Sequence, residues 1–333
     1  MGEGLGLVLL AGITMGGNMV PMKWMKAWKW ENFWLVYSIV SLVVVPWALA
    51  FFLLTGIGGV YASLSPRVMV LPFLYGLTWG IAQLGAGICV HRIGLGLTGS
   101  ILNGICAGSG AFIPLCIQHR ELLLQRSGLM IIAGTVVMAV GLGLCGWAGH
   151  EREKSTGQLK SSGSGYVGIL VLAIVSGFMA SLLNIALAFG GDIVQKAQQA
   201  GAAPAWAPFA VWPIALAGGF VTNLGYCLYL FSKNHTWGNF GGGPREVLNP
   251  ILGGALWMGA IAIYSSGATF LGVVGFSVGW ALFQIAMILT GNVAGLLMGE
   301  WRQMPARISR ANLRGVGVLF LAVIIIGAAN YSK

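Results

Sequence analysis

The chain has 333 residues, of which 57% are hydrophobic and only 8% are charged. A soluble domain carries about 25% charged residues, so the composition excludes a soluble fold and indicates a polytopic membrane protein. The formal net charge of +10 does not indicate nucleic-acid binding, because the basic residues are scattered among short loops and form no single patch. The five cysteines all fall within apolar runs, and their number is odd and their spacing is not that of metal ligands, so we expect no disulfide framework and no metal. No cofactor is expected either.

The first polar stretch of the chain, residues 21–34, combines three lysines with four tryptophans and with Glu31. Indole rings and ammonium groups side by side are typical of the boundary between hydrocarbon and water. We therefore interpret this stretch as an interfacial turn between two membrane spans. The run that precedes it lacks a basic beginning, so it is predicted to be a span and not a cleaved signal peptide.

Ten apolar runs are long enough to cross about 30 Å of hydrocarbon, which takes roughly 20 helical residues. Helices are predicted because backbone groups find no water partners in lipid, and the runs do not alternate as barrel strands do. The predicted fold class is thus an all-α integral membrane protein with ten transmembrane helices. The predicted spans are 4–22, 33–56, 69–90, 93–117, 128–148, 166–189, 207–231, 249–269, 271–298 and 315–331.

Lysine and arginine are distributed unequally between the two sets of loops. The loops after spans one, three, five, seven and nine hold 13 of the 18 basic residues. The positive-inside rule places this set of loops in the cytoplasm. Both termini are then predicted to lie on the opposite, periplasmic side.

Segment 149–165 divides the chain into two halves. It is charged and then rich in Ser and Gly, which predicts a cytoplasmic linker between residues 1–148 and residues 166–333. Five spans precede the linker and five follow it. Because five is odd, the second half must be inverted in the membrane relative to the first.

Short matches between the halves indicate that they are repeats. Trp79 is followed 15 residues later by Gly94, and Trp257 is followed 15 residues later by Gly272. The opening runs are similar, and a glutamate follows the fourth span of each half. Two inverted five-helix repeats are the usual plan of secondary transporters, which bind substrate near the midplane between the repeats.

Several blocks of the chain carry a family resemblance that runs over nearly its whole length. The matching residues are Pro21, Lys23, Lys26, Glu31, Trp34, Ile39-Val40-Ser41, Pro46-Trp47-Ala48, Trp79-Gly80-Ile81, Arg92, Gly94, Asn223-Leu224-Gly225, Gly253-Gly254, Trp257 and Glu300-Trp301. With these residues the chain resembles the L-rhamnose–proton symporter family, within the drug/metabolite transporter superfamily. The resemblance implies a bacterial inner-membrane protein that imports a rhamnose-like neutral monosaccharide by proton symport, with the fifth and tenth helices peripheral to the cavity.

Two alternatives stay open at this point. An exporter of metabolites or drugs would have the same architecture. A membrane-embedded enzyme is indicated only by two short motifs, GLGLTG at 94–99 and GFSVG at 275–279. Both motifs require a preceding strand, whereas here they follow or lie in apolar membrane runs, so we predict that the protein is not an enzyme.

Neutral polar residues and tryptophans in the middle of predicted spans are the candidates for substrate binding. Amides can both donate to and accept from sugar hydroxyls, and an indole face can stack on a sugar ring. The same residues could instead join helices to one another. The candidates are Asn18, Trp79, Gln83, Asn103, Asn184, Trp257, Tyr264, Trp280 and Gln284.

The eight acidic residues all fall in predicted loops or at predicted helix ends. Intramembrane carboxylates mark many proton relays, and none is predicted here. The candidates for coupling are therefore Glu300, His91 and Glu31, with a proton or another ion as the coupling partner. The other expected partners are a sugar and the lipid bilayer, without nucleic acid, and a homodimer is left open.

Overall fold

The computed structural model describes residues 2–118, 120–157, 166–272, 274–297, 299, 301–302 and 304–329. Regular structure in these residues is helical throughout, as the apolar runs predict. The α-helices are α1 Gly2–Gly17, α2 Trp30–Ile39, α3 Val45–Leu53, α4 Ile57–Ser63, α5 Pro66–Ile93, α6 Leu95–Gln118, α7 Arg126–Ser155, α8 Tyr166–Ala188, α9 Gly191–Gln199, α10 Trp212–Asn234, α11 Pro244–Phe270, α12 Gly275–Leu297 and α13 Ala306–Ala329.

Nine helical segments of the described chain are long and apolar enough to cross a membrane, so the protein is a multi-pass membrane protein. One of these segments, Trp30–Leu53, consists of α2 and α3, which are joined by a π-helical turn at Val40–Val44. The apolar helix α1 has 16 residues, fewer than the roughly 20 that a full span takes. It ends before the predicted boundary at residue 22, because a 3-10 turn follows at Val20–Trp24.

Glycines allow the backbones of neighbouring helices to come into direct contact. A Cβ atom added to Gly76 of α5 would lie 1.6 Å from the carbonyl oxygen of Ala215 on α10. A Cβ atom added to Gly12 of α1 would lie 2.4 Å from the Cβ atom of Ala286 on α12. Small residues at helix contacts are the usual solution in lipid, where dispersion contacts replace the hydrophobic effect as the source of association.

The tryptophan-rich stretch between α1 and α2 is interfacial only in part. Trp24 is 58% exposed, whereas Trp28 is buried and its Nε1 donates to the carbonyl oxygen of Gly241 at 2.8 Å. The backbone N–H groups of residues 26–28 donate to the carboxylate of Glu246, at 2.9 to 3.3 Å. Trp28 thus packs against protein, and Trp34 turns towards the cavity in the centre of the bundle.

Helix α7 continues beyond the predicted end of the fifth span at residue 148. It ends at Ser155, so residues 149–155 are helical where a linker was predicted. Gly149 is held against the start of α6, since a Cβ atom on Gly96 would lie 2.7 Å from the Cα atom of Gly149. The carboxylate of Glu153 also accepts a hydrogen bond from the Gly96 N–H. Residues 158–165 of the predicted linker lie outside the described residues.

Candidate substrate cavity

A cavity of about 250 Å³ lies in the middle of the helix bundle. Its walls come from α1, α2, α5, α6, α8, α10, α11 and α12, while α7 and α13 pack along each other outside it. This arrangement is the one that the family resemblance implies for the fifth and tenth helices. Liquid water takes about 30 Å³ per molecule, so the cavity holds the volume of roughly eight waters. That volume suits a single sugar ring and not an oligosaccharide.

Seven of the nine predicted binding residues line this cavity, and they come from four helices and from the residue that follows α1. Polar and bulky aromatic residues in mid-span face the bundle interior because lipid offers them no hydrogen-bond partners. The structure therefore brings together residues that lie as far as 266 positions apart in the sequence. The seven are Asn18, Trp79, Gln83, Asn103, Trp257, Trp280 and Gln284.

The other two predicted residues, Asn184 and Tyr264, lie behind the cavity wall. Both are fully buried, and the Tyr264 hydroxyl donates to Asn184 Oδ1. Asn184 Nδ2 in turn donates to the carbonyl oxygen of Gly110 at 2.9 Å. The Tyr264 ring packs edge-on against the Trp280 ring at 5.5 Å. The pair thus joins α8, α6 and α11, and it supports Trp280 without lining the cavity.

Two tryptophans from the two halves of the chain meet at the cavity. The ring centroids of Trp79 and Trp257 lie 5.6 Å apart, with 39° between the ring planes. Trp79 rests on α10, where a Cβ atom added to Gly219 would lie 2.9 Å from its Cε3 and Cζ3 atoms. The third tryptophan, Trp280, donates from Nε1 to the carbonyl oxygen of Cys106 at 3.1 Å. These contacts hold the three indole rings in place around the cavity.

A further face of the cavity comes from α2 and was missed in the sequence. Trp34, Tyr37, Ser38 and Ser41 all line the cavity. Their spacing of three, four and seven residues places them on one side of a helix, which is the signal that could have identified them. Trp34 Nε1 donates to Asn223 Oδ1 at 2.7 Å, and the Trp34 and Tyr37 rings stack at 5.0 Å.

Some polar groups of the cavity are paired with protein and others are not. Asn18 Nδ2 donates to the Tyr37 hydroxyl at 2.9 Å, and Gln284 Nε2 donates to Cys106 Sγ at 3.3 Å. Within the described residues, the side-chain amides of Gln83 and Asn103 make no hydrogen bond to protein. These two amides are free to bind a ligand.

The described lining of the cavity carries no charged side chain. A charged ligand would be desolvated there without a counter-charge, which is costly. Neutral amides, hydroxyls and indole rings instead match a ligand that is rich in hydroxyl groups and has an apolar face. The cavity therefore suits a neutral polyhydroxylated molecule.

The three predicted coupling residues do not line the cavity. Glu31 is buried, and its Oε1 accepts hydrogen bonds from Thr236 Oγ1 at 2.7 Å and from Asn234 Nδ2 at 3.0 Å. It therefore ties the start of α2 to the end of α10. His91 is exposed near the end of α5. Glu300 lies outside the described residues.

Comparison with known proteins matches residues 4–332 to the family of the L-rhamnose-proton symport protein. An L-rhamnose-proton symporter of Mannheimia succiniciproducens is 28% identical over 317 residues, which cover 92% of each chain. L-rhamnose-proton symporters of Escherichia coli O1:K1 and Shigella boydii serotype 18 are each 28% identical over 320 residues, 93% of this chain and 91% of theirs. The match takes in every helix that contributes to the cavity, and the chain belongs to the L-rhamnose-proton symport protein family.

Proposed function

We propose that this protein imports a neutral monosaccharide of the rhamnose type together with a proton, and that the central cavity binds the sugar. The observation that carries the proposal is the lining of that cavity: unpaired amides, hydroxyls and indole rings without a charge, around about 250 Å³. Relatives named L-rhamnose-proton symporter support both the sugar and the coupling ion. Membership of a symporter family leaves the exporter and the membrane enzyme without support.

In this proposal the sugar lies between the amides and the tryptophans. Gln83 and Asn103 donate to and accept from ring hydroxyls, because an amide offers both functions. Trp79 and Trp257 cover the apolar face of the ring. A 6-deoxy sugar also carries a methyl group, which Ile261 on the same cavity wall can contact. Binding a sugar in this way leaves few of its hydroxyls unpaired.

We further propose that α1 also crosses the membrane, which brings the number of spans from nine to ten. Its 16 residues are about 24 Å long at about 1.5 Å per residue, and the 3-10 turn that follows extends the segment. Gly4 and Gly12 of α1 pack at backbone distance on α11 and α12, so the helix lies inside the bundle. With ten spans, the excess of basic residues after odd-numbered spans puts both termini outside the cytoplasm, in a bacterial inner membrane.

The packing of the helices supports two inverted repeats. In the proposed correspondence α1 matches α8, α5 matches α11, and α6 matches α12. The contacts of α8 with α5 and α6 then have counterparts in those of α1 with α11 and α12. Contacts of α5 with α10 likewise correspond to those of α11 with α2. This plan is the one expected of the drug/metabolite transporter superfamily.

Backbone conformations at matching positions also support the repeat. Gly94 and Gly272, which follow the paired tryptophans by the same interval, have φ angles of 86° and 80°. Gly56 and His235, which follow the second span of each half, have φ angles of 63° and 54°. Trp79 and Trp257 touch each other, as repeat-related residues do near the axis that relates the repeats.

Transport by purified protein in liposomes tests the proposed function. With an acidic exterior and a neutral interior, radiolabelled L-rhamnose should accumulate above its external concentration, and a protonophore should abolish the accumulation. Unlabelled 6-deoxyhexoses should compete better than the corresponding hexoses. Uptake whose extent does not depend on the pH gradient would contradict the proposal. Failure of the folded protein to bind any neutral monosaccharide would contradict it as well.

A further inference from the structure

A second cavity, of about 340 Å³, lies beside the first and shares one residue with it. The shared residue is Asn103 of α6, which lines both. The second cavity is bounded by the first turns of α6 and the last turns of α7 and α12, together with Trp301. It thus extends from the centre of the bundle to the face where the most basic loops lie. Glu153, near the end of α7, is the one carboxylate on its described wall.

Only one of the two carboxylate oxygens of Glu153 has a hydrogen-bond partner among the described residues. Its side chain is only 4% exposed, and Oε1 accepts a hydrogen bond from the Gly96 N–H at 2.8 Å. Its other oxygen, Oε2, is buried and has no hydrogen-bond partner among the described residues. A buried carboxylate oxygen without a hydrogen-bond partner carries a desolvation cost, so Oε2 is the open binding position of this side chain. Glu31, by contrast, is paired on Oε1 by two side chains.

Few charged groups of the described chain lie around Glu153. Arg152 lines the same cavity, and its guanidinium lies 5.0 Å from the ring centroid of Trp301. The packed helices α6 and α12 carry no charged side chain. On α13, which packs along α7, Arg307 lies over the Trp147 ring. The remaining ionisable groups of α7 and α13 are Cys145, which lines the same cavity, and Arg126, His150, Glu151, Lys154, Arg310 and Arg314.

Glu153 and the sugar cavity are linked through α6. The Gly96 N–H that donates to Glu153 belongs to the first turn of α6. The N-terminus of a helix favours a nearby negative charge. Asn103 lies seven residues further along the same helix, about 10 Å away at 1.5 Å per residue. The same helix supplies the Cys106 carbonyl that fixes Trp280. A change at the start of α6 therefore reaches two groups that line the sugar cavity.

We propose that Glu153 is the group that carries the coupling proton; this assignment rests on the proposed symport. The carboxylate takes a proton that enters from outside through the sugar cavity, which adjoins the second cavity at Asn103, and becomes a neutral carboxylic acid. Its hydrogen bond to Gly96 weakens, because the acceptor loses its charge, and the start of α6 is released from α7. On release of the sugar, the acid gives its proton back to water and the charged carboxylate holds α6 again. One proton is bound and one is released per cycle, with no other reactant.

Replacement of Glu153 by glutamine tests this assignment. Glutamine keeps an oxygen that can accept from Gly96 but cannot exchange a proton. In liposomes, E153Q should still exchange labelled against unlabelled rhamnose, but acid-driven accumulation should fall until the internal concentration only equals the external one. Addition of rhamnose to the variant should cause no proton uptake. The matched control is E151Q, two residues away on the same helix and not on the cavity wall; it should accumulate sugar as the unmodified protein does.

The outcomes separate the assignment from the proposed function. Acid-driven accumulation by E153Q would overturn the role of Glu153, and so would loss of both exchange and accumulation by folded E153Q. If the unmodified protein shows neither accumulation nor proton uptake, the proposed symport itself fails. If E153Q does not fold, E153D supplies the test, because it keeps a titratable group that is shorter by one methylene. Its pH profile of uptake should shift, and an unchanged profile would overturn the assignment.

Discussion

Removal of the Trp79 indole should weaken sugar binding without unfolding the protein. Trp79 is 8% exposed and is held between Gly219 and Trp257, so its free face is turned towards the cavity. Removal of one aromatic stacking platform from a bound base costs about 1–3 kcal/mol, and the small exposed fraction of Trp79 favours the lower part of that range, about 1–2 kcal/mol. Trp79→Ala should therefore raise the Kd about 5- to 30-fold.

The assay is titration of rhamnose into purified protein, read by intrinsic fluorescence or calorimetry. Trp257→Ala should have an effect of the same size, since the two rings form one platform. Trp79→Phe keeps a smaller ring, so its Kd should lie between that of the unmodified protein and that of Trp79→Ala. The control is Trp24→Ala, which removes an exposed indole that does not line the cavity, and its Kd should not change.

One result would refute this reasoning directly, and a second would transfer the test to another variant. If Trp79→Ala and Trp257→Ala both bind rhamnose with the original Kd while folded, the tryptophan pair only packs the helices together. If both variants lose their fold, the pair supports the bundle, and the Trp79→Phe variant then decides whether affinity follows the ring size. The loss of the ring–ring contact itself should cost about 0.5–1.5 kcal/mol of stability, which lowers the Tm but leaves a folded protein.

Three further predictions concern topology, packing and the cavity wall. A fluorescent reporter that folds only in the cytoplasm should be bright when inserted at Gly157 and dark when fused after Lys333; the reverse would contradict the proposed orientation. Gly76→Val should prevent stable insertion, because its Cβ atom would meet a carbonyl of α10 at 1.6 Å, whereas Gly87→Val, with open space around it, should leave expression and Tm nearly unchanged. Tyr37→Phe removes the acceptor of a 2.9 Å hydrogen bond and should cost about 1 kcal/mol of sugar affinity, about fivefold in Kd; an unchanged Kd would show that this bond does not position the sugar.

The sequence predicted the membrane fold well, because apolar length is a strong signal in lipid. The structure differs from that prediction at the end of α7. The end of α7 is charged, and charge outside an apolar run indicates a loop, so residues 149–155 were assigned to the linker. The helix continues there because Gly149 packs on Gly96 and because Glu153 pairs with the Gly96 N–H. Neither contact is visible before α6 and α7 are placed side by side.

The candidate site was predicted in outline and not in detail. Polarity in mid-span places a residue inside the bundle, but it does not distinguish a cavity wall from a contact between helices. Asn103 and Asn184 illustrate this limit, since both are mid-span asparagines and only Asn103 lines the cavity. Trp34 was assigned to the membrane interface because it follows lysines and other tryptophans. Its position became clear only with the direction of α2 and the bond to Asn223.

The packing of α1 has a consequence for how the protein is made. This helix emerges from the ribosome first, yet the helices that hold it, α11 and α12, begin only at Pro244 and Gly275. At about 5–20 residues per second, α11 starts to emerge some 12–50 s later. During that time α1 lacks the two helices on which it packs at backbone distance. Helix α1 is therefore inserted early but makes its contacts with α11 and α12 late. Completion of the bundle depends on α1 staying in the membrane until those two helices are synthesised.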